Sequence, residues 1–397
     1  MVNSSHNERN QKRKIRKIGM LSVSIIITAI ILITETYAWF VGLSTVSVSD
    51  MQIQISSADG LELSLNADDW QSSTLTLSQQ DITTGLNSSY NNHKNKWPTS
   101  GLVPISTSGD IITPSGALKL FGKSSLASTA GGYKIISSQI TNTSGSTINE
   151  GEGYVAFDLF IRNGSNGSLY DATDYTDDMG ESIYLSTTSS VAVSAAGSAT
   201  NNGIANSVRV AFARVGMVSG SSDAAIAQSI TCGNATNVTP LCSIANTVIW
   251  EPNDKAHDDN LIDYYNNKAC KKRTAANNYS GSCGELSNNT FFPTYTVKNA
   301  ITATNNVNIY DGTELNTYTN SITNGYLQNT DTFTDSEKVI SGYSRPALFN
   351  LAANSITKVR VYIYLEGQDV DNYDLITKGQ SVDIKFGFTK DKFNVST

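Results

Sequence analysis

The sequence predicts a mainly β protein: an antiparallel β-sandwich or jelly roll with long polar insertions, preceded by one N-terminal hydrophobic helix. Three observations carry that expectation. Apolar and polar residues alternate at period two in one stretch after another. Helix formers are few while hydroxyl and β-branched residues are many, which leans toward sheet, and Ser, Thr and Asn together make up 129 of the 397 residues. A single uncharged apolar run stands near the N-terminus, directly behind a cluster of cations.

Composition narrows the classes further. Apolar residues are 39% and charged residues 16% of the chain, both below the usual shares. Eighteen Tyr and 12 Phe, beside many Ile and Val, still supply enough bulk for a core, which argues against disorder. The net charge of −7 conceals a division. Residues 1–17 hold Arg9, Lys12, Arg13, Lys14, Arg16 and Lys17 against Glu8, a balance of +5, so residues 18–397 carry −12. Nucleic-acid binding would need the positive charge on the folded part, so no nucleic-acid partner is expected.

The first element is Ile18–Ile33, sixteen residues without a charge, ten of them Ile, Leu or Val. As a helix it spans about 24 Å, somewhat short of the ~30 Å hydrocarbon core. Its basic flank fixes the topology: residues 1–17 stay cytoplasmic, 18–38 form a signal peptide or transmembrane helix, and 39–397 are exported. Thr36-Tyr37-Ala38 offers small residues at the −3 and −1 positions of a leader, with cleavage between Ala38 and Trp39. Length alone does not separate a cleaved leader from a retained anchor. The partners implied are a membrane and a signal peptidase, and the location is the cell surface or beyond.

Strands follow in order. Met51, Ile53 and Ile55 alternate with Gln52 and Gln54; Leu61, Leu63 and Leu65 alternate with Glu62 and Ser64; Leu75 and Leu77 lie between Thr and Ser. Gly153–Asn163 places Val155, Phe157, Leu159 and Ile161 on one face and Tyr154, Ala156, Asp158 and Phe160 on the other, as in a central strand ending at an Asn-Gly turn. Further strands are expected at Ser182–Thr187, Ser207–Val215, Thr247–Trp250, Val359–Leu365 and Ser381–Phe388. A short Ala-rich helix fits Ser222–Ser229, with Asp223 as its cap. No linker divides 39–397, which reads as one domain carrying a Cys-containing insertion at about 232–300.

All four cysteines fall in that insertion. Cys232, Cys242, Cys270 and Cys283 lack the tight pairs of zinc sites, and in an oxidising compartment they would form two bridges. Three connectivities are open, and sequential pairing is the expected one. Each bridge would then stabilise by roughly 2–3 kcal/mol on chain-entropy grounds.

Catalytic signals are weak. The histidines His6, His93 and His257 stand apart, and no GxSxG, HExxH, Walker loop or strand-bound GxGxxG occurs. No catalytic residue is assigned and no enzyme is expected. Acidic loops gather Asp171, Asp174, Asp177, Asp178 and Glu181; Asp254, Asp258, Asp259 and Asp263; and Glu366, Asp369, Asp371 and Asp374. Loops of this kind suit Ca²⁺, the only cofactor considered, with Asp369, Asp371 and Asp374 the candidate ligands. None follows EF-hand order, and a solvated acidic loop is the simpler reading of each.

The leader end TYAWF (36–40), followed by an alternating strand, resembles the leaders of secreted proteins processed by SipW-type signal peptidases, the TasA and camelysin-like proteins of Gram-positive bacteria. VIWEPND with His257, and ITKVRVYIYLEGQDVDN (356–372), are similar to stretches of surface proteins sharing that leader. The resemblance covers roughly a tenth of the chain. It implies a jelly-roll or Ig-like sandwich with a structural role in matrix fibres, the strand after the cleavage site being donated to a neighbouring subunit. Val46, Val48, Met51, Ile53 and Ile55 would be the apolar face of that donor strand. Pairing of the same strand within its own sandwich is the competing expectation. The function expected is therefore a non-enzymatic surface or matrix structural protein, a homo-oligomer or fibre subunit. The alternative is a membrane-anchored binding module for glycans or proteins.

Overall fold

The computed structural model describes residues 46–55, 60–83, 90, 93–99, 101–123, 134–144, 147–149, 153–165, 170, 175–176, 179–194, 203–233, 235–243, 247–264, 266, 286–291, 295–302, 304, 307–308, 325–329, 332–334, 346–372 and 380–390. In chain order the principal strands begin with β1 (Val46–Ile55), β2 (Leu61–Ser64), β3 (Leu75–Leu77), β4 (Pro104–Ser106), β5 (Phe121–Lys123) and β6 (Ser137–Gln139). The middle of the chain gives β7 (Val155–Asn163), β8 (Glu181–Leu185), β9 (Ser190–Val193), β10 (Val208–Ser219), β11 (Thr239–Pro240) and β12 (Thr247–Glu251). The last are β13 (Thr332–Thr334), β14 (Phe349–Leu351), β15 (Ser355–Glu366) and β16 (Gln380–Thr389).

Two large sheets result. The first has six strands, with β16 and β1 at its centre, flanked by β8 and β14 on one side and β3 on the other. The second has ten strands around β10, β15 and β7. The period-two pattern explains why they stack. Val155, Phe157, Leu159 and Ile161 of β7, Val359, Val361, Ile363 and Leu365 of β15, and Val208, Val210 and Phe212 of β10 turn one face of the second sheet inward. They meet Met51, Ile53, Ile55, Val382, Ile384, Phe386 and Phe388 from the first sheet. Phe212 contacts Phe386 and Phe388 edge-on, with ring centres 5.2 and 5.8 Å apart. Each such side chain removed from water contributes about 1.5–3 kcal/mol.

The second sheet is covered on its outer face as well. Ala211, Ala213, Tyr154, Ala156, Tyr362 and Tyr364 pack there against Leu118, Leu120 and Ile105, and the Tyr362 hydroxyl accepts a hydrogen bond from the Leu118 amide at 3.1 Å. Further along that face, Phe160, Val215 and Ile356 pack against Ile230 and Val238. All twelve residues of β15 are therefore buried, charged ones included.

The antiparallel expectation holds only in part, because both sheets are mixed. β1 runs parallel to β16, β12 to β13, and β15 to β4. Alternation records which face is buried but not the direction of the neighbour, and a parallel neighbour needs only a long enough crossover. The strand after Gly153 ends at Asn163 and is central, as expected, lying between β2 and β15. Each of two long strands carries a bulge. In β1 the register shifts between Val48 and Met51, so Val46 and Val48 share a face with Met51, Ile53 and Ile55 despite the change of parity. In β10 it shifts between Arg214 and Gly216. A Cβ on Gly216 would stand 2.9 Å from the Thr239 carbonyl oxygen, so only glycine lets β11 approach here.

The helix after Asp223 forms at Ala224–Gln228, although the Asp223 side chain makes no cap hydrogen bond. Residues 232–300 are not a detached insertion throughout: β11 and β12 within them belong to the second sheet. Among the described residues no helix is long and apolar enough to cross a membrane, and the expected export helix 18–38 lies outside them.

Candidate functional site

Two acidic loops far apart in sequence meet at one end of the second sheet. β10 lies between β12 and β15. Val210 pairs with Trp250 and Arg209 with Tyr364, so Arg209 stands between Glu251 and the end of β15 on the outer face. The turn after β12 then supplies Asp254 and His257, and the turn after β15 supplies Asp369 and Asp371.

Arg209 donates from Nη2 to Glu251 Oε1 and to Asp369 Oδ2, and from Nη1 to the Asn206 carbonyl at 2.9 Å. His257 Nδ1 lies 2.9 Å from Asp371 Oδ2, and its Nε2 lies 2.9 Å from the Thr290 carbonyl oxygen. A carbonyl only accepts, so Nε2 carries a proton, and the Nδ1···Oδ2 contact must hold a second one. The 367–372 turn braces itself: Gln368 N donates to Glu366 Oε1 at 3.0 Å, Asp371 N to Asp369 Oδ1 at 2.7 Å, and Asn372 Nδ2 to the Glu366 carbonyl at 3.0 Å. Glu251, Asp254, His257, Glu366, Asp369 and Asp371 are all buried. The solvated reading is corrected for Asp254, Glu366, Asp369 and Asp371, which sit at strand ends covered by the turns themselves, whereas Asp259 and Asp263 are exposed as that reading expects.

Burial sets their acidity. It pushes Glu366 up to about 8, Glu251 up to about 7 despite Arg209, and Asp371 up to about 7 despite its bond to His257. Burial opposes the charge on Arg209 and His257 too. There the facing carboxylates outweigh it and raise both groups.

A second buried ionic group occupies the middle of the same face. Asp158 on β7 accepts from Arg360 Nε at 2.7 Å and from the Tyr90 hydroxyl at 2.8 Å, with Lys358 Nζ at 3.2 Å. Burial alone would raise Asp158; Arg360 and Lys358 overcome that and hold it below the ordinary carboxylate range. Lys358 is pulled down to about 8 by burial, only partly offset by Asp158.

The other expected residues fall as follows. Val46, Met51, Ile53 and Ile55 are buried in the core and Val48 is partly buried, all in a strand paired within this chain. Cys232 and Cys242 are bonded, with Cα atoms 5.3 Å apart, as sequential pairing requires. Such a bond suits an oxidising compartment. Cys270, Cys283, Ala38, Trp39, Asp374 and the acidic group Asp171, Asp174, Asp177 and Asp178 lie outside the described residues. Asp369 and Asp371 are engaged by Arg209 and His257, and no three His, Cys, Asp or Glu among the described residues form a group able to hold a metal. The His257–Asp371 pair has the composition of an acid–base dyad. With Nε2 bound to a carbonyl and Nδ1 to the carboxylate, neither ring nitrogen faces a substrate.

Arg209, Arg360 and Lys358 were absent from the sequence-level candidates because each is an alternate polar residue in a strand, the pattern of a solvated face. No known protein family, curated protein or solved structure matches the chain.

Proposed function

We propose that the chain is a non-enzymatic structural protein of the cell surface or extracellular matrix, exported through its N-terminal segment. It assembles by donating the strand that follows the leader. The observation that carries this reading is the position of β1. It is the first described strand after the apolar run, it inserts between β16 and β3, and it supplies Val46, Met51, Ile53 and Ile55 to the core. Only residues 56–60 separate it from β2 in the other sheet. Opening that short connection would let the strand enter a neighbour's sheet with the same hydrogen bonds and the same buried face. The TYAWF resemblance supports export and the fibre role together.

The test uses the full-length chain expressed in a Gram-positive host, with the surface fraction imaged by electron microscopy and its N-terminal residue sequenced. Fibres whose subunits begin at Trp39, lost in an Ile53→Asp variant that is still exported, are the expected result. Monomers that persist at high concentration would refute the assembly. An intact Met1 would refute the cleavage.

A binding module is the second reading, favoured by one observation. Asp110, Ile111, Ile112, Lys119 and Gln139 line an open cleft of about 420 Å³, a size that fits a short saccharide or peptide.

A further inference from the structure

The end of the second sheet carries a charge imbalance that the structural role does not use. Four buried carboxyls converge there: Glu251 from β12, Glu366 from β15, and Asp369 and Asp371 from the turn beyond. Among the described residues the cations facing them are Arg209 from β10 and, when doubly protonated, His257. Tyr364 on β15 also faces the group, half-buried Asp258 stands at the rim near Gly203, and Lys255 is exposed. Fully ionised, these four carboxyls outnumber the two described cations by two. An excess of that size is not sustained in a dry site.

Two further observations agree with the census. Asp371 Oδ1 is buried with no hydrogen-bond donor among the described residues. A bare anionic oxygen without a donor costs more than a neutral carboxyl in the same place. The His257 contact, as derived above, already requires a proton shared with Asp371.

We propose that the turns 252–258 and 367–372 form a proton-operated latch over the end of the second sheet, closed while the cluster holds its extra protons and opened as they leave. The sign follows from which state holds more protons. With Glu251, Glu366 and Asp371 raised, the folded form binds more protons than the unfolded form from about pH 4 up to about 7–8, so closure weakens as pH rises through that window. His257 acts in the same direction: its raised value gives stability that is full below its ordinary value and lost as pH rises through the folded one.

Hydrogen exchange with mass spectrometry on the full-length chain, held in detergent for its apolar run, tests this from about pH 5.5 to 8.5 after correction for intrinsic rates. The opening equilibrium of both turns is expected to rise about tenfold per pH unit for each proton released, while the centre of β15 does not follow. Glu366→Gln and Asp371→Asn fix the neutral form, and each should flatten the slope and protect the turns at the alkaline end. Equal protection across the range would overturn the latch, as would a wild-type slope in both variants. The wild-type series decides by itself if neither variant folds. Restoration of protection at alkaline pH by millimolar Ca²⁺, reversed by a chelator, would also overturn it, since a cation and not protons would then balance the excess.

Discussion

Replacing Asp158 with Asn removes one charge from the middle of the second sheet and leaves the shape intact. Asp158 is fully buried and faces Arg360 Nε at 2.7 Å, Arg360 Nη2 at 3.3 Å, Lys358 Nζ at 3.2 Å and the Tyr90 hydroxyl at 2.8 Å. The amide can still accept from one donor, but two buried cations lose their counter-charge. Breaking a buried ion group from one side costs about 3–5 kcal/mol. With an unfolding entropy of about 2.1 cal/mol/K per residue over roughly 350 residues, that lowers the melting temperature by about 4–7 °C. Calorimetry and urea unfolding measure it. Adding Lys358→Met to Asp158→Asn should recover part of the loss, because one uncompensated cation goes with it. The pH profile supplies an independent sign. In the wild type the contribution of Asp158 is full at neutral pH and lost only as pH falls through its depressed value. Lys358, depressed to about 8, makes stability grow as pH rises from there toward its unfolded value, and in the variant that gain should begin at lower pH. A loss below about 1 kcal/mol, with no recovery in the double variant, would show that the three groups do not act as a unit.

Two other substitutions probe the frame around the site. Cys242→Ser opens a loop closed across ten positions and should cost about 3 kcal/mol by calorimetry, with reductant lowering the wild type by at least as much. Gly101→Val places a Cβ 2.7 Å from the Val46 carbonyl oxygen at a φ of +87°, so it should break the Val46–Leu102 bridge. Exchange of residues 46–55 should then rise without a comparable rise in β10.

Much of the strand inventory was readable because it depends on one variable, the parity of apolar residues. VRVYIYL, SVDIKFGF and GYVAFDLF each give a strand within a few residues of the observed one. Partner direction was not readable, since β1 looks the same beside a parallel or an antiparallel neighbour. The bulge in β1 did leave a trace: the apolar positions move from even at Val46 and Val48 to odd at Met51, which one extra residue reconciles. The candidate site failed for a different reason. A charge at an alternate position means solvent only if that face is bare, and here Ile105, Leu118, Leu120, Ile230 and Val238 cover it. The trace available was complementarity, with Arg209 and Arg360 in two apolar strands and acids at matching depth in Asp158, Glu251 and Glu366.

The parallel seat of β1 against β16 also sets an order of events. Its register runs Val46 to Gln380 and Ile55 to Phe388, so the partner of β1 is synthesised long after β1 itself. Gln380 follows Ile55 by 325 positions (380 − 55), which at about 5–20 residues per second is a delay of roughly 16–65 s. For that interval β1 has β3 on one side and an open edge on the side that β16 will fill.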